Sequence, residues 1–167
     1  MNDNFKEHSG KLRNMASIYL LNHDHILLLF RQGSSIVSNM WIGSAGGHFE
    51  NNELNDAKAC MLREVSEELS LNEEDMETIS LRYITLRYTD GEIRQNYYFF
   101  ATMKDSIPQQ LQSNEGITRW FAFNELKELP MPFTAQHVLD HYIAIGQFDT
   151  ALYGGIADKS GVYFHKL

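Results

Sequence analysis

The stretch GGHFENNELNDAKACMLREVSEELSL, residues Gly46 to Leu71, decides how the rest of the chain is read. Two glycines lead into a polar run, and Glu64, Glu67 and Glu68 then fall within five residues. Asn55 or Asp56 is a suitable N-cap, and no proline or glycine interrupts Ala57 to Leu69, so a helix is expected there. On that helix the three glutamates sit at i, i+3 and i+4 and share one face. Leu62, Val65 and Leu69 form another face suited to a core, and Arg63 precedes Glu67 by four positions. Carboxylates this close repel one another, and a hard divalent cation with oxygen ligands relieves the repulsion. Glycines just before the helix let backbone carbonyls approach the same ion. An isolated acidic run is most often a solvated face, so the spacing acquires meaning only from its surroundings.

Composition narrows those surroundings. The chain has 167 residues, 43% of them apolar, with ten Phe, eight Tyr and two Trp, which is the balance of an ordinary globular domain. A formal charge of −8 gives no general attraction to nucleic acid polymers or anionic membranes. A phosphorylated ligand therefore needs a cation to accompany it. Cys60 is the single cysteine, which excludes an intrachain disulfide and suits a reducing compartment. The first residues lack the apolar core of a signal peptide, and no apolar run approaches the ~18 residues of a membrane span. A cytoplasmic protein is expected.

Hydrophobic patterning gives mixed α and β structure in one domain over residues 1–167, with a polar tip over 1–13 and a tail over 147–167. Strands are expected over Met15–Asn22, Ile26–Gln32 and Trp41–Gly47, with a loop over Gly33–Met40. Asp90-Gly91 marks a hairpin between Thr78–Asp90 and Ile93–Met103. A strand over Ile117–Phe123 precedes a short helical turn from Asn124, and Thr134–Ile145 reads as an amphipathic helix. In the tail, GVYFHKL has strand character. The aromatic run LYGG…GVYFHKL suits either a cap on the domain or edge pairing with a second copy, which leaves a homodimer open. His137 and His141, four apart on a helix, lack a third ligand and the glutamate of a zinc motif, and read as packing or surface residues.

The quoted stretch resembles the Nudix box, a motif of Gly, five residues, Glu, seven residues, then Arg-Glu-apolar-x-Glu-Glu-x-Gly-apolar. Gly47 and Glu53 fit the first part, with Glu50 the alternative acid, and Arg63 to Leu71 fits the last part. Two positions depart from it. Nine residues separate Glu53 from Arg63 instead of seven, and Ser70 replaces the helix-ending glycine. If Ser70 has φ > 0, it costs about 1 kcal/mol relative to Gly. The order of strands and helices is similar to the family's from about residue 15 to 145.

The resemblance implies an α+β fold, an α/β/α sandwich with a central mixed sheet. It also implies a hydrolase that cuts the diphosphate linkage of a nucleoside diphosphate joined to a group X. Glu64, Glu67, Glu68 and the Gly46 carbonyl would hold Mg²⁺ or Mn²⁺. Arg63 would orient the cluster through Glu67. The general base would be Glu67 or the later-loop Glu115. Arg31 resembles a phosphate-binding arginine, and Phe133 and Gln136 lie where MutT-like members contact the base. The expected substrate is a small nucleotide, a nucleoside triphosphate such as oxidised 8-oxo-dGTP. The alternatives are a nucleotide sugar, a dinucleoside polyphosphate, an isoprenoid diphosphate, or a non-catalytic nucleotide-binding regulator.

Overall fold

A computed structural model describes residues 10–33 and 39–167. Residues 1–9 of the expected polar tip, and 34–38 of the expected loop, lie outside the described residues. Residues 11–13 belong to a strand instead, because Lys11, Leu12 and Arg13 extend a long parallel pairing opposite Glu92, Ile93 and Arg94.

The elements run in chain order as β1 (Lys11–Asn22), β2 (His25–Arg31), β3 (Met40–Ile42), β4 (Ala45–His48), α1 (Ala57–Leu69), β5 (Met76–Thr89), β6 (Glu92–Met103), β7 (Gly116–Ala122), α2 (Phe133–Ala144), β8 (Tyr153–Ala157) and β9 (Val162–Lys166). The strands form one mixed sheet in the order β3-β2-β1-β6-β5-β8-β9, with β4 on β1 and β7 on β2. β1 runs parallel to β6 and β5 parallel to β8, while the remaining pairs are antiparallel. α1 covers one face of the sheet and α2 the other, which is the expected α+β sandwich.

Side-chain alternation along β1 explains the two cores. Ala16, Ile18 and Leu20 pack with Cys60, Met61, Val65 and Leu69 of α1. Tyr19 belongs to the opposite face, with Tyr98, Phe100, Val138, Leu139 and Tyr142 beneath α2. Period-two alternation on the strand and a helical stripe on each partner produce this separation without any further device.

α1 has the expected bounds. Asp56 caps it, its Oδ1 accepting the Ala59 N–H at 3.0 Å, and Ser70 ends it with φ 56°. The Asp90-Gly91 turn has both residues at positive φ, as a tight hairpin requires. Asn51–Glu53, Glu73–Asp75 and Phe123–Glu128 are 3-10 turns, the last replacing the short helix expected from Asn124.

Three features differ from the sequence expectation. Trp41–Gly47 is two strands, not one: β3 pairs with β2 and β4 with β1. The split falls at Gly43-Ser44. There the buried Ser44 hydroxyl donates to the Leu27 carbonyl at 2.6 Å and accepts the Leu20 N–H at 2.8 Å, so a side chain takes the place of ladder bonds. In the tail, LYGG runs into a strand of its own, β8, which with β9 extends the chain's own sheet beyond β5. Finally, β5 carries a bulge between Leu81 and Tyr83. The extra residue, Arg82, is buried, and beyond it the face of every β5 side chain is reversed. Among the described residues no helix is long and apolar enough to cross a membrane.

Candidate active site

A cleft of about 620 Å³ opens over the α2 face of the sheet. β1 contributes Arg13, Met15, Ser17 and Tyr19 to it, all of one strand face. β4 contributes Gly46, Gly47 and His48, and α1 contributes Arg63, Glu64 and Glu68. Glu115, Arg31 and Phe133 line the same cleft.

Arg63 is the organiser of the box, though not mainly through Glu67. Its Nε and Nη2 donate to the two oxygens of Glu53, at 2.7 and 3.0 Å. Its Nη1 donates to Glu64 at 2.8 Å and to Glu67 at 3.2 Å, and Nη2 also reaches the His48 carbonyl at 3.0 Å. The bidentate Glu53 contact is the stronger geometry. Glu50 stands 3.9 Å from the guanidinium, so of the two acids Glu53 is the one Arg63 grips. The Glu53 side chain is only 4% exposed, and the Arg63 guanidinium holds its carboxyl down at about 2. The same contacts raise Arg63 above its ordinary value.

Glu64 and Glu68 reach the cleft past the glycine pair. A Cβ on Gly47 would lie 2.1 Å from Glu64 Oε1, so the second glycine is required for the carboxylate to pass. A Cβ on Gly46 would meet the Ala16 carbonyl at 2.5 Å, and the Gly46 N–H donates to Glu68 Oε2 at 3.1 Å. Burial pushes the Glu68 carboxyl up to about 7, and Glu64 and Glu115 push in the same direction, against the Gly46 N–H and Arg31. Burial also raises Glu64. Glu67 is different: its side chain is 58% exposed, and it is not among the residues lining the cleft.

The later loop comes back to the helix. Glu115 pairs with Arg31 at 3.3 Å, and Asn114 donates to the Glu67 carbonyl at 3.1 Å. This loop position brings Glu115 beside Glu68 from 47 residues further along the chain. Phe133 lines the cleft beneath the Arg87 guanidinium, 5.0 Å above its ring. Gln136 does not reach the cleft. It lies one helical step beyond Ala135, and its amide donates to Asp140 at 3.2 Å along α2.

Sequence reasoning missed Arg13, Arg87 and Arg94, which also line the cleft. Arg13 and Arg94 were open to discovery from strand alternation with Ser17 and Asn96. Arg87 was not, because the bulge at Arg82 sets its face. The two histidines of α2 are packing groups: His137 Nδ1 contacts the Phe133 carbonyl and His141 Nδ1 the Tyr83 hydroxyl, each at 2.9 Å.

The donor set suits a hard cation. Glu64, Glu68 and Glu115 face one cleft, and oxygen ligands of this kind suit Mg²⁺ or Mn²⁺. Among the described residues no three acidic, histidine or cysteine groups already stand gathered as an ion site. Arg63 engages Glu64 and Glu67, and the Gly46 N–H engages Glu68, so binding an ion requires these side chains to turn from their present partners.

A mixed sheet between two helices, with a capped acidic helix behind a glycine pair, defines a Nudix-type α+β sandwich. The chain belongs to the NUDIX domain family, whose profile matches residues 11–142. Solved structures share the fold. A mutator MutT protein from Bacillus halodurans is 21% identical with a TM-score of 0.65, covering 92% of this chain and 97% of that one. The E. coli ORF135 protein is 21% identical with a TM-score of 0.64, covering 83% and 93%. An Ap4A hydrolase from C. elegans is 17% identical with a TM-score of 0.63, covering 82% and 99%. Comparison with curated proteins finds no significant match.

Proposed function

We propose that the chain is a divalent-metal-dependent Nudix pyrophosphohydrolase that cleaves a nucleoside diphosphate-X substrate, a nucleoside triphosphate foremost, to a nucleoside monophosphate and the remaining phosphate product. The observation that carries this reading is the convergence of Glu64, half-buried Glu68 and Glu115 on one cleft. An oxidised nucleotide such as 8-oxo-dGTP is one member of this class, and the fold shared with the C. elegans Ap4A hydrolase adds dinucleoside polyphosphates.

Glu64, Glu67, Glu68 and the Gly46 carbonyl would hold Mg²⁺ or Mn²⁺, which supplies charge neutralisation at phosphorus and a more acidic water. Arg63 keeps Glu53, Glu64 and Glu67 in register, so it is a positioning residue. Glu115 stands where a base could take the proton of an attacking water, and Glu67 is the alternative. Arg31, held by Glu115, would orient a phosphoryl oxygen.

The test is a hydrolysis assay with Mg²⁺ or Mn²⁺ across nucleoside triphosphates, nucleotide sugars and dinucleoside polyphosphates. Glu68→Gln should lower turnover by about 10²–10⁴-fold with the fold intact. A wild type that binds a nucleotide tightly yet releases no phosphate or diphosphate from any of them would leave a binding module instead.

A further inference from the structure

Three arginines stand in one line across three neighbouring strands. Arg13 of β1 is directly opposite Arg94 of β6, and Arg94 is directly opposite Arg87 of β5. All three line the cleft. Like charges placed opposite one another on a sheet are destabilising, and here they are concentrated in a chain of net charge −8.

Among the described residues Arg13 and Arg87 form no ion pair, and of the three only Arg94 does. Arg13 Nε donates to His48 Nε2 at 2.6 Å. Arg87 has no hydrogen bond or ion pair among the described residues and lies over the Phe133 ring. Arg94 Nε is buried and makes no hydrogen bond, its nearest acid being Glu92 Oε2 at 3.5 Å. Glu92 at 3.5 Å and Asp90 at 3.7 Å are in ion-pair range of Arg94, at the hairpin end of the row.

The row is set apart from the glutamates. Ser17 is opposite Gly46, whose N–H holds Glu68. Arg13 is four residues further along the same strand, about 13 Å at the usual rise. The row and the glutamates are thus offset along the strand by backbone position.

We infer that Arg13, Arg87 and Arg94 form an anion subsite for a phosphate group at the far end of the substrate, remote from the diphosphate that is cut. The inference rests on the hydrolase reading for its role in selecting substrate, but not for the binding itself. Guanidinium forks match phosphate oxygens in pairs. The substrate class is therefore a nucleoside diphosphate-X in which X carries its own phosphate. The group comes either from a longer polyphosphate chain or from a phosphate on the X moiety.

The first test uses inorganic phosphate with EDTA present, so that no metal acts at the glutamates. Wild type should gain thermal stability with millimolar phosphate, and Arg94→Gln and Arg87→Gln should lose that gain, with affinity falling about ten- to hundred-fold. Arg31→Gln should keep it. Absence of any gain in wild type, or a gain that survives in Arg94→Gln, overturns the subsite.

The second test compares kcat/KM within matched pairs: a dinucleotide with and without a ribose phosphate, and a nucleoside tetraphosphate beside the triphosphate. A preference for the extra phosphate in either pair, abolished by Arg94→Gln, supports the assignment and identifies the source of the group. Equal rates within both pairs overturn its role in selection. If no pair is hydrolysed while the EDTA result holds, the hydrolase reading fails and the anion subsite stands.

Discussion

Arg63 and Arg82 are both largely buried arginines that gather distant chain segments, yet they do so with different partners. Arg63 holds side-chain carboxylates: Glu53, Glu64 and Glu67. Arg82 holds main-chain carbonyls instead, at Ala151 (2.9 Å) and Gly146 (2.8 Å), with Asp149 at 3.0 Å. Side-chain carboxylates can turn toward an ion or a substrate; backbone carbonyls cannot without moving the chain. The first arginine therefore holds groups that are free to turn, and the second fixes a tail that is not. Arg82 pins the link between α2 and β8, and Asp149 adds a bond from the Tyr153 hydroxyl at 2.6 Å.

The comparison predicts a large effect on both stability and activity at Arg63. Arg63→Ala leaves Glu53 buried and unpaired, at a cost of about 3–5 kcal/mol in chemical denaturation, and hydrolysis per folded molecule should fall with it. The pair also sets an acid limb. The folded pKa of Glu53 is depressed to about 2 from an ordinary 4.5, so its contribution is present above about 4.5 and is lost as pH falls toward 2. Melting temperatures of wild type and Glu53→Gln followed across that window should converge at the acid end. Parallel curves would show that Arg63 does not act through this carboxylate.

Arg82→Ala should cost somewhat less, about 2–3 kcal/mol, because it removes charged hydrogen bonds but strands no fully buried acid. At temperatures where the variant is folded its kcat should match wild type. A fall in kcat with stability unchanged would reverse the contrast between the two arginines. The smallest effect is expected at the end of α1. Ser70 has φ 56°, so Ser70→Gly should stabilise by about 1 kcal/mol, read as a raised melting temperature with activity unaltered.

Much of the site's helix was legible because its signals are local. Asp56, the unbroken run to Leu69, and the spacing of Arg63, Glu64, Glu67 and Glu68 depend on neighbours within a turn or two. The Asp90-Gly91 hairpin was legible for the same reason. The split at Ser44, by contrast, depends on Leu20 and Leu27, which are 24 and 17 residues away. Which way Gln136 faces was not legible, because a helix face is set by rotation against the sheet and nothing local fixes that rotation.

The sequence by itself determined the acidic helix, its caps, the glycine pair and the alternating strands, since each is a short-range steric or hydrogen-bonding preference. Only the tertiary structure decided which acid Arg63 grips, where Glu115 lands, and that Arg13, Arg94 and Arg87 meet. Those outcomes depend on strand register across the sheet, and one extra residue at Arg82 is enough to reverse the face of everything beyond it on β5.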